Sequence, residues 1–560
     1  MNRSDYGPRC AEEASSSERW TWNVVTRSKE GPAVTGFRDL SRNRRWGRSK
    51  GKKTISATSR PNQRSASVSR TMSASLEVTA DFAPSLENAF FRDVPERSYR
   101  VDGVTGQLPD YLRGTLYLNG PAGLHFDDGF RYRHWLDGDG MVCALRFAED
   151  GVYFANRFVR GRKYVREREE LVAPIYRTFG TAFPGDRLKR GIGTESPYNV
   201  SVFPYRGRLL AFGEQSLPME LEPTSLETMT PGKTFDFHAA LNDAAPFSAH
   251  PKIDSRTGEL LNFGIFFAPR QPLLIYYRFD GGGQLACRSR IPIPLPCSLH
   301  DFAASENYVI FYLSPYLLDT SGLTERGLST IDSLSWRPEL RSQLLVLCRE
   351  TGTEIARIGI DGRYCLHTIN AFEQDRELVV DLIEFERPIY DQYQELPNLF
   401  VDVPYGQPVR FTIDLPRQQV VAQQSINYCG APDFPVIDPR GESRDYDDVW
   451  MLGISPTGRP GRKFFDSLVH ARWSEPTKCD IWECPRGQYL GGEPVFVEDP
   501  SESHRGIIIC HLFDAVNRAS RFLLFDASHV AGGPFASSSL TDAIQLGFHS
   551  SFRRQQERRT

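Results

Sequence analysis

Several features of an exported, membrane-spanning or disulfide-stabilised protein are missing from this 560-residue chain. No run of 18 apolar residues occurs, so the sequence predicts no membrane-spanning helix. The N-terminal region lacks the apolar segment of a secretory signal. The ten cysteines are scattered without a CxxC pair, which indicates free thiols and not a zinc or disulfide framework. We therefore expect a cytoplasmic protein; peripheral membrane contact through an exposed apolar patch stays open.

Net charge is small as well, although the charged residues are unevenly distributed. The formal net charge of −3 gives no electrostatic reason to expect binding to nucleic acid. Residues 1–70, however, carry 16 Lys and Arg against 6 Asp and Glu. That segment is rich in Ser, Arg and Gly and has no apolar periodicity, so it cannot bury enough surface to fold alone. We expect residues 1–75 to be a disordered basic leader, and Met72 is an equally good start of the protein.

What the sequence does contain, from about residue 100 onward, is a long succession of strand signals. Runs of β-branched and aromatic residues such as GTLYLNG (114–120) and RFLLFDA (521–527) are bounded by Gly, Pro, Asp and Asn. The stretch LLVLCRETGTEIARIGI (344–360) predicts a hairpin, and residues 166–172 are among the few helical pieces. So many antiparallel strands are best accommodated by a β-propeller, and no linker divides residues 85–555, which we interpret as one domain.

Four of the eleven histidines share a sequence setting. They are His250 in FSAHPKID, His300 in CSLHDFAAS, His367 in CLHTINAFE and His549 in LGFHSSF. The first three are each followed by a polar turn and then a strand. Turns on one face of a propeller converge on its axis, so these imidazoles can meet there. A cluster of imidazoles without a thiolate suits a borderline divalent transition metal. The other seven histidines are expected to be solvated or satisfied in the core.

The four histidine contexts, taken in order, resemble the four iron-ligand motifs of the carotenoid cleavage oxygenases. Further matches include HWLDGDGM, EPTSLETM and GGEPVFV, and the resemblance covers about residues 85–555. It implies an all-β, seven-bladed β-propeller with capping loops over an axial metal site. It also implies that Fe(II) is held by His250, His300, His367 and His549.

The resemblance further implies three carboxylates behind these imidazoles, because ligating histidines generally donate their other N–H to an acceptor. Glu214 and Glu493 match the first and third glutamates of the family. Asp433, in APDFPVIDPR, stands where the second glutamate is expected. Aspartate is one methylene shorter, so it must draw the backbone closer or reach its histidine through water. A simple turn residue is the other interpretation of Asp433.

The activity that the resemblance implies is cleavage of a carbon–carbon double bond by O₂, with both oxygen atoms entering two carbonyl products. It implies no organic cofactor and no catalytic side chain beyond the metal centre. The stretches EQSLPMELEPTSLETM and SAHPKID resemble the bacterial branch that cleaves carotenoids or apocarotenoids. Two alternatives stay open: a stilbene-cleaving dioxygenase of the same family, and a non-enzymatic propeller that binds a pigment or lipid.

The stilbene alternative depends on a lysine and a tyrosine that hold a phenolic hydroxyl in those family members. Lys163, in FVRGRKYVREREE, falls near the expected lysine. No tyrosine stands in NGPAGLHFDDGF, where His125 and Phe126 occur instead. The sequence therefore favours Lys163 as a solvated residue among neighbouring arginines.

Overall fold

The β-branched and aromatic runs of the sequence form antiparallel strands throughout the computed structural model. It describes residues 89–268, 271–390, 396, 399–400, 403–454, 464–502 and 505–555, all within the unit Val78–Thr560. The predicted leader, residues 1–75, lies outside the described residues. The predicted hairpin is confirmed at residues 342–360, where Gly352 takes a positive φ of 65° and its N–H donates to the carbonyl of Cys348 over 2.8 Å.

The strands are short and follow one another along the whole described chain. In chain order they are β1 (Arg97–Val101), β2 (Gly103–Thr105), β3 (Gly114–Ala122), β4 (Asp139–Ala148), β5 (Gly151–Phe158), β6 (Ser201–Tyr205), β7 (Arg208–Phe212), β8 (Met219–Leu221), β9 (Lys252–Ile253), β10 (Leu260–Phe266), β11 (Leu273–Phe279), β12 (Leu285–Pro292), β13 (Ala303–Ala304), β14 (Tyr308–Leu313), β15 (Tyr316–Leu318), β16 (Leu334–Trp336), β17 (Ser342–Cys348), β18 (Glu354–Ile360), β19 (Tyr364–Gln374), β20 (Glu377–Phe385), β21 (Gly406–Asp414), β22 (Gln419–Ser425), β23 (Asp433–Val436), β24 (Asp448–Gly453), β25 (Ser467–Arg472), β26 (Cys479–Glu483), β27 (Gln488–Leu490), β28 (Val495–Glu498), β29 (Gly506–Asp514), β30 (Ala519–Asp526), β31 (Ala536–Ser539) and β32 (Ser550–Arg554).

Within the described residues, helical structure occurs as short turns and connections. The α-helical pieces are α1 (Arg162–Tyr164) and α2 (Thr320–Thr324), and a π-helix at Val165–Glu170 continues α1. Short 3₁₀ turns lie at Trp135–Asp137, Ile331–Ser333, Pro338–Leu340, Pro439–Gly441 and Val530–Gly532. The helical piece expected at residues 166–172 is therefore present, and it begins four residues earlier. Across the part of the chain that is described, no helix is long and apolar enough to span a bilayer.

Seven sheets form the blades of the propeller, as predicted. Blade 1 contains β1, β5, β4, β3 and β32; blade 2, β6–β8; blade 3, β9–β12; blade 4, β13, β14, β17 and β18; blade 5, β19–β22; blade 6, β23–β26; and blade 7, β2 with β27–β31. A separate two-stranded hairpin joins β15 and β16. Radial repetition leaves only short strand edges exposed, which suits a chain with this many strands.

Strands from opposite ends of the chain close the ring twice. In blade 1, β32 pairs with β3, so that Ser550 faces Leu118 and Arg554 faces Gly114. In blade 7, the N-terminal β2 pairs with β31. Apolar layers fill the space between blades; one, for example, joins Leu344 and Val346 of blade 4 to Val380 and Phe411 of blade 5. The two pairings fix the first and last blades against each other.

Candidate metal centre

All four predicted histidines lie at one edge of their blades, close to the start of the edge strand. His250 precedes β9, His300 precedes β13 and His549 immediately precedes β32. His367 differs from the expectation, because it lies inside β19 and the residues after it continue the strand to Gln374. The polar turn that we predicted after His367 comes later, at Asp375 and Arg376, because the register shifts of β19 let the strand run past the histidine.

The four imidazoles are buried and converge on one point. One ring nitrogen from each lies within 4.8 Å of every other. The Nε2 atoms of His250 and His300 are 2.9 Å apart, close to the separation of two neighbouring ligands with metal–nitrogen bonds of about 2.1 Å. The Nε2 of His367 is buried and has no hydrogen-bond partner among the described residues. A ring nitrogen left in this way, next to three others, fits a site built to hold a cation.

The three predicted carboxylates each stand behind one histidine. Glu214 Oε1 lies 2.9 Å from the Nδ1 of His300, and Glu493 Oε2 lies 3.4 Å from the Nδ1 of His549. Asp433 Oδ1 lies 2.5 Å from the Nδ1 of His367. With Nδ1 engaged in this way, the Nε2 atoms are left to face the shared point.

Each blade supplies one of these seven residues. The histidines come from blades 1, 3, 4 and 5, and the carboxylates come from blades 2, 6 and 7. In blade order from 1 to 7 they are His549, Glu214, His250, His300, His367, Asp433 and Glu493. The site therefore exists only when the whole ring is assembled.

Asp433 reaches His367 directly, without the bridging water that its shorter side chain allowed. It is 1% exposed and opens β23, the inner strand of blade 6. The register of β23 against β24 shifts between Asp433 and Val436, and Phe434 takes a positive φ of 51°. Asp433 therefore needs no bridging water to reach its histidine. The turn-residue interpretation of Asp433 does not account for this contact.

A fourth carboxylate, Asp301, lies beside the histidines and was not predicted from the sequence. Its Oδ1 lies 3.7 Å from the Nδ1 of His250 and 2.8 Å from the Nζ of Lys252. Burial alone would raise the pKa of Asp301, but Lys252 and His367 lower it below its usual value, so the group is ionised. The available signal was its position directly after His300.

The direction of the pKa shift differs among the histidines. Burial, followed by the neighbouring His300, lowers the pKa of His250 well below its usual value, so this ring is neutral. Burial likewise lowers the pKa of His549. Burial acts in the same direction at His367, but the Asp433 carboxylate outweighs it and raises the pKa of that ring. Neutral imidazoles are the form that binds a metal, so the raised pKa of His367 makes a proton a competitor for a metal at that ring.

Aromatic side chains lie beside three of the four histidines. The Phe434 ring lies 5.2 Å from that of His549 and 5.5 Å from that of His367, measured between centroids. Tyr390 lies edge-on to His300 at 6.1 Å. These residues belong to the largest apolar cluster of the protein, which also includes Trp135 and Phe548. The surroundings suit an apolar substrate with few polar anchors.

Lys163 is not a solvated surface residue, and the expectation that it is one was wrong. Its side chain is fully buried, with Nζ 2.6 Å from Asp139 Oδ1 and 2.9 Å from Glu167 Oε2. The hydroxyl of Tyr132 donates to the same Glu167 oxygen over 3.0 Å, and Lys163 lies 4.8 Å from the centre of the Tyr132 ring. A buried lysine–tyrosine pair is therefore present, although the tyrosine lies outside the segment NGPAGLHFDDGF.

Comparison with known proteins shows which family this sequence and fold resemble. The family model described as retinal pigment epithelial membrane protein matches residues 91–554. The apocarotenoid-15,15'-oxygenase of Synechocystis sp. is 29% identical over 486 residues, which is 82% of this chain and 94% of that relative. Resveratrol cleavage oxygenase 1 of Aspergillus fumigatus is 27% identical over 505 residues, covering 85% and 91% of the two chains.

A solved structure, that of cobalt-substituted Synechocystis apocarotenoid oxygenase, superposes with a TM-score of 0.74 at 26% identity. The match covers 84% of this chain and 98% of that one. Relatives of this kind are named as oxygenases, which agrees with an oxidoreductase. The family match spans all seven blades, so the chain belongs to the retinal pigment epithelial membrane protein family, that of the carotenoid cleavage oxygenases.

Proposed function

We propose that residues 85–555 act as one catalytic domain, a non-heme Fe(II) dioxygenase that cleaves a carbon–carbon double bond with O₂ into two carbonyl products. The observation that carries this proposal is the convergence of His250, His300, His367 and His549 on one buried point. Four neutral ligands would leave positions on the iron open for O₂ and substrate. When bound, the iron would supply activation of O₂.

The protein's own residues would hold and shield this centre. Glu214, Asp433 and Glu493 would fix the orientation of three imidazoles and make them better donors to the metal. Phe434 and Tyr390, which lie beside the histidines, would exclude water and offer apolar surface to the substrate. Because the reaction needs no proton transfer from a side chain, no further acid or base is assigned.

For the substrate, we favour a carotenoid or apocarotenoid. The aromatic surroundings of the histidines suit a long apolar polyene, and the relative from Synechocystis is named for cleavage of an apocarotenoid. The sequence EQSLPMELEPTSLETM, which resembles the bacterial apocarotenoid-cleaving branch, points to the same substrate class.

A second candidate substrate is a hydroxylated stilbene, and a specific observation favours it. Lys163 and Tyr132 are both buried and share Glu167, so a lysine and a tyrosine stand together inside the protein. The relative from Aspergillus fumigatus is named for cleavage of resveratrol. A phenolic hydroxyl is a group that an ammonium and a phenol can bind together.

The two candidates are separated by one product analysis. Iron-loaded protein is incubated in air with an apocarotenal, with resveratrol and with resveratrol whose hydroxyls are methylated, and products are identified by mass spectrometry. If the substrate is a carotenoid or apocarotenoid, we expect two carbonyl fragments from the apocarotenal and much slower turnover of both stilbenes. Faster cleavage of resveratrol, lost on methylation, would establish the second candidate in its place. Cleavage of none of the three would contradict both substrates.

A further inference from the structure

Asp301 is a buried carboxylate beside the histidines, and both of its oxygens have polar partners. It is 5% exposed. Its Oδ2 accepts hydrogen bonds from the backbone N–H and from the hydroxyl of Thr368, each over 2.8 Å. Its Oδ1 lies 2.8 Å from the ammonium of Lys252 and accepts the N–H of Phe302 over 2.8 Å.

These contacts connect three histidine-bearing segments that belong to three different blades. Lys252 lies two residues after His250, Asp301 directly follows His300, and Thr368 directly follows His367. One carboxylate therefore contacts the segment next to each of these histidines, through the ammonium of Lys252 and through the backbone N–H groups of Phe302 and Thr368. The backbone N–H of Thr368 is a particularly direct link, because it belongs to the peptide group that joins it to His367.

Asp301 also places negative charge beside His250, the one of the four histidines that has no closer carboxylate at its Nδ1 among the described residues. The distance of 3.7 Å from Asp301 Oδ1 to His250 Nδ1 is longer than a hydrogen bond, but it places the charge beside the ring. A neighbouring anion offsets part of the positive charge that a metal brings into a buried site.

We propose that Asp301 is a positioning residue that sets the mutual placement of His250, His300 and His367 for metal binding. This inference rests on the proposed function, since it needs a metal at the four histidines. One buried carboxylate would thus align three ligands. This role is additional to those of Glu214, Asp433 and Glu493, each of which stands behind a single imidazole.

The test uses metal-free full-length protein and Co²⁺ as the probe, with binding followed by calorimetry and by the visible absorption of the bound ion. The variants are Asp301→Asn and Thr368→Val; the second removes one contact to Asp301 without burying an unpaired charge. The matched control is Asp381→Asn, which alters a buried aspartate that pairs with Arg410 on the neighbouring strand of blade 5.

We expect Asp301→Asn to weaken Co²⁺ binding by about 10- to 100-fold, the range for groups that orient metal ligands, and to change the absorption spectrum. Thr368→Val should weaken binding by about 3-fold or more, in the same direction, and it carries the test if Asp301→Asn does not fold. Asp381→Asn should lower thermal stability while leaving affinity and spectrum as in the wild type.

The inference would be overturned if Asp301→Asn bound Co²⁺ with the wild-type affinity and spectrum. If that variant does not fold, the same result in Thr368→Val would overturn it. An equal loss of affinity in Asp381→Asn would also overturn it, because the effect would then be one of general stability. Failure of the wild-type protein itself to bind Co²⁺ would instead overturn the metal centre and the proposed function. The two kinds of failure are therefore distinguishable.

Discussion

At the scale of single residues, the support of the four imidazoles depends on how far each carboxylate can reach. Asp433 has a shorter side chain than the glutamates at the equivalent contacts, yet its oxygen lies 2.5 Å from His367. The strand that carries it is irregular at this point, with a register shift in β23 and a positive φ at Phe434. The charge of Asp433 then outweighs burial and raises the pKa of His367.

We predict that Asp433→Asn lowers the affinity for a divalent metal by about 10- to 100-fold with little change in fold, because the amide keeps the shape but loses the charge. Without that charge the pKa of His367 falls, so protons compete with the metal only at lower pH. The acid limb of metal binding should therefore move to lower pH in the variant. Metal titration across a pH series checks both effects, and an unchanged affinity and pH profile would remove Asp433 from the site.

At the scale of elements, close backbone packing holds the segment that carries His549. Gly120 in β3 lies against the chain just before β32, and a Cβ at Gly120 would come within 2.5 Å of the Cα of Gly547. The neighbour is backbone and cannot swing aside, so any side chain at Gly120 must push the two segments apart. The position of His549 thus depends on Gly120, a residue that has no side chain.

We predict that Gly120→Ala destabilises the protein by about 1–3 kcal/mol and reduces metal content after purification, because the displacement moves His549. The matched control is Gly359→Ala in β18, where the added Cβ would meet nothing within 4 Å. Urea denaturation and metal analysis of the two variants check this. Wild-type stability and metal content in Gly120→Ala would show that the close approach is not required.

At the scale of the whole molecule, seven blades each contribute one residue to a site that no single blade could form. The described chain enters the fold at Ala89 and Phe90, both of which pack in the largest apolar cluster. Strands β2 and β32 then close the ring from its two ends. Residues 1–71 precede all of these contacts.

We predict that a protein lacking residues 1–71 folds and acts as the full chain does, because their composition cannot form a core. Its melting temperature should agree with that of the full chain within about 2 °C, which corresponds to roughly 1 kcal/mol in a domain of about 150–250 residues. Differential scanning calorimetry of both proteins provides the measurement. A large drop in melting temperature would show that the interpretation of the leader was wrong.

The sequence predicted much of this arrangement, for identifiable reasons. Strands were visible because β-branched and aromatic runs alternate with turn residues, and the family motifs led to His250, His300, His367 and His549. Lys163 was misjudged because its sequence neighbours are charged, while its burial depends on Asp139 in a distant strand. Asp301 was missed because its role depends on Lys252 and Thr368, which only the assembled ring brings to it.

The central claim is that a metal held by the four histidines makes this protein a double-bond-cleaving dioxygenase. The most direct measurement is cleavage of a substrate from the panel above under ¹⁸O₂, by iron-loaded wild type and by His367→Ala. We expect two carbonyl products, each with one labelled oxygen, and we expect only the iron-loaded wild type to form them. Full activity in iron-free protein, or equal activity in His367→Ala, would contradict it.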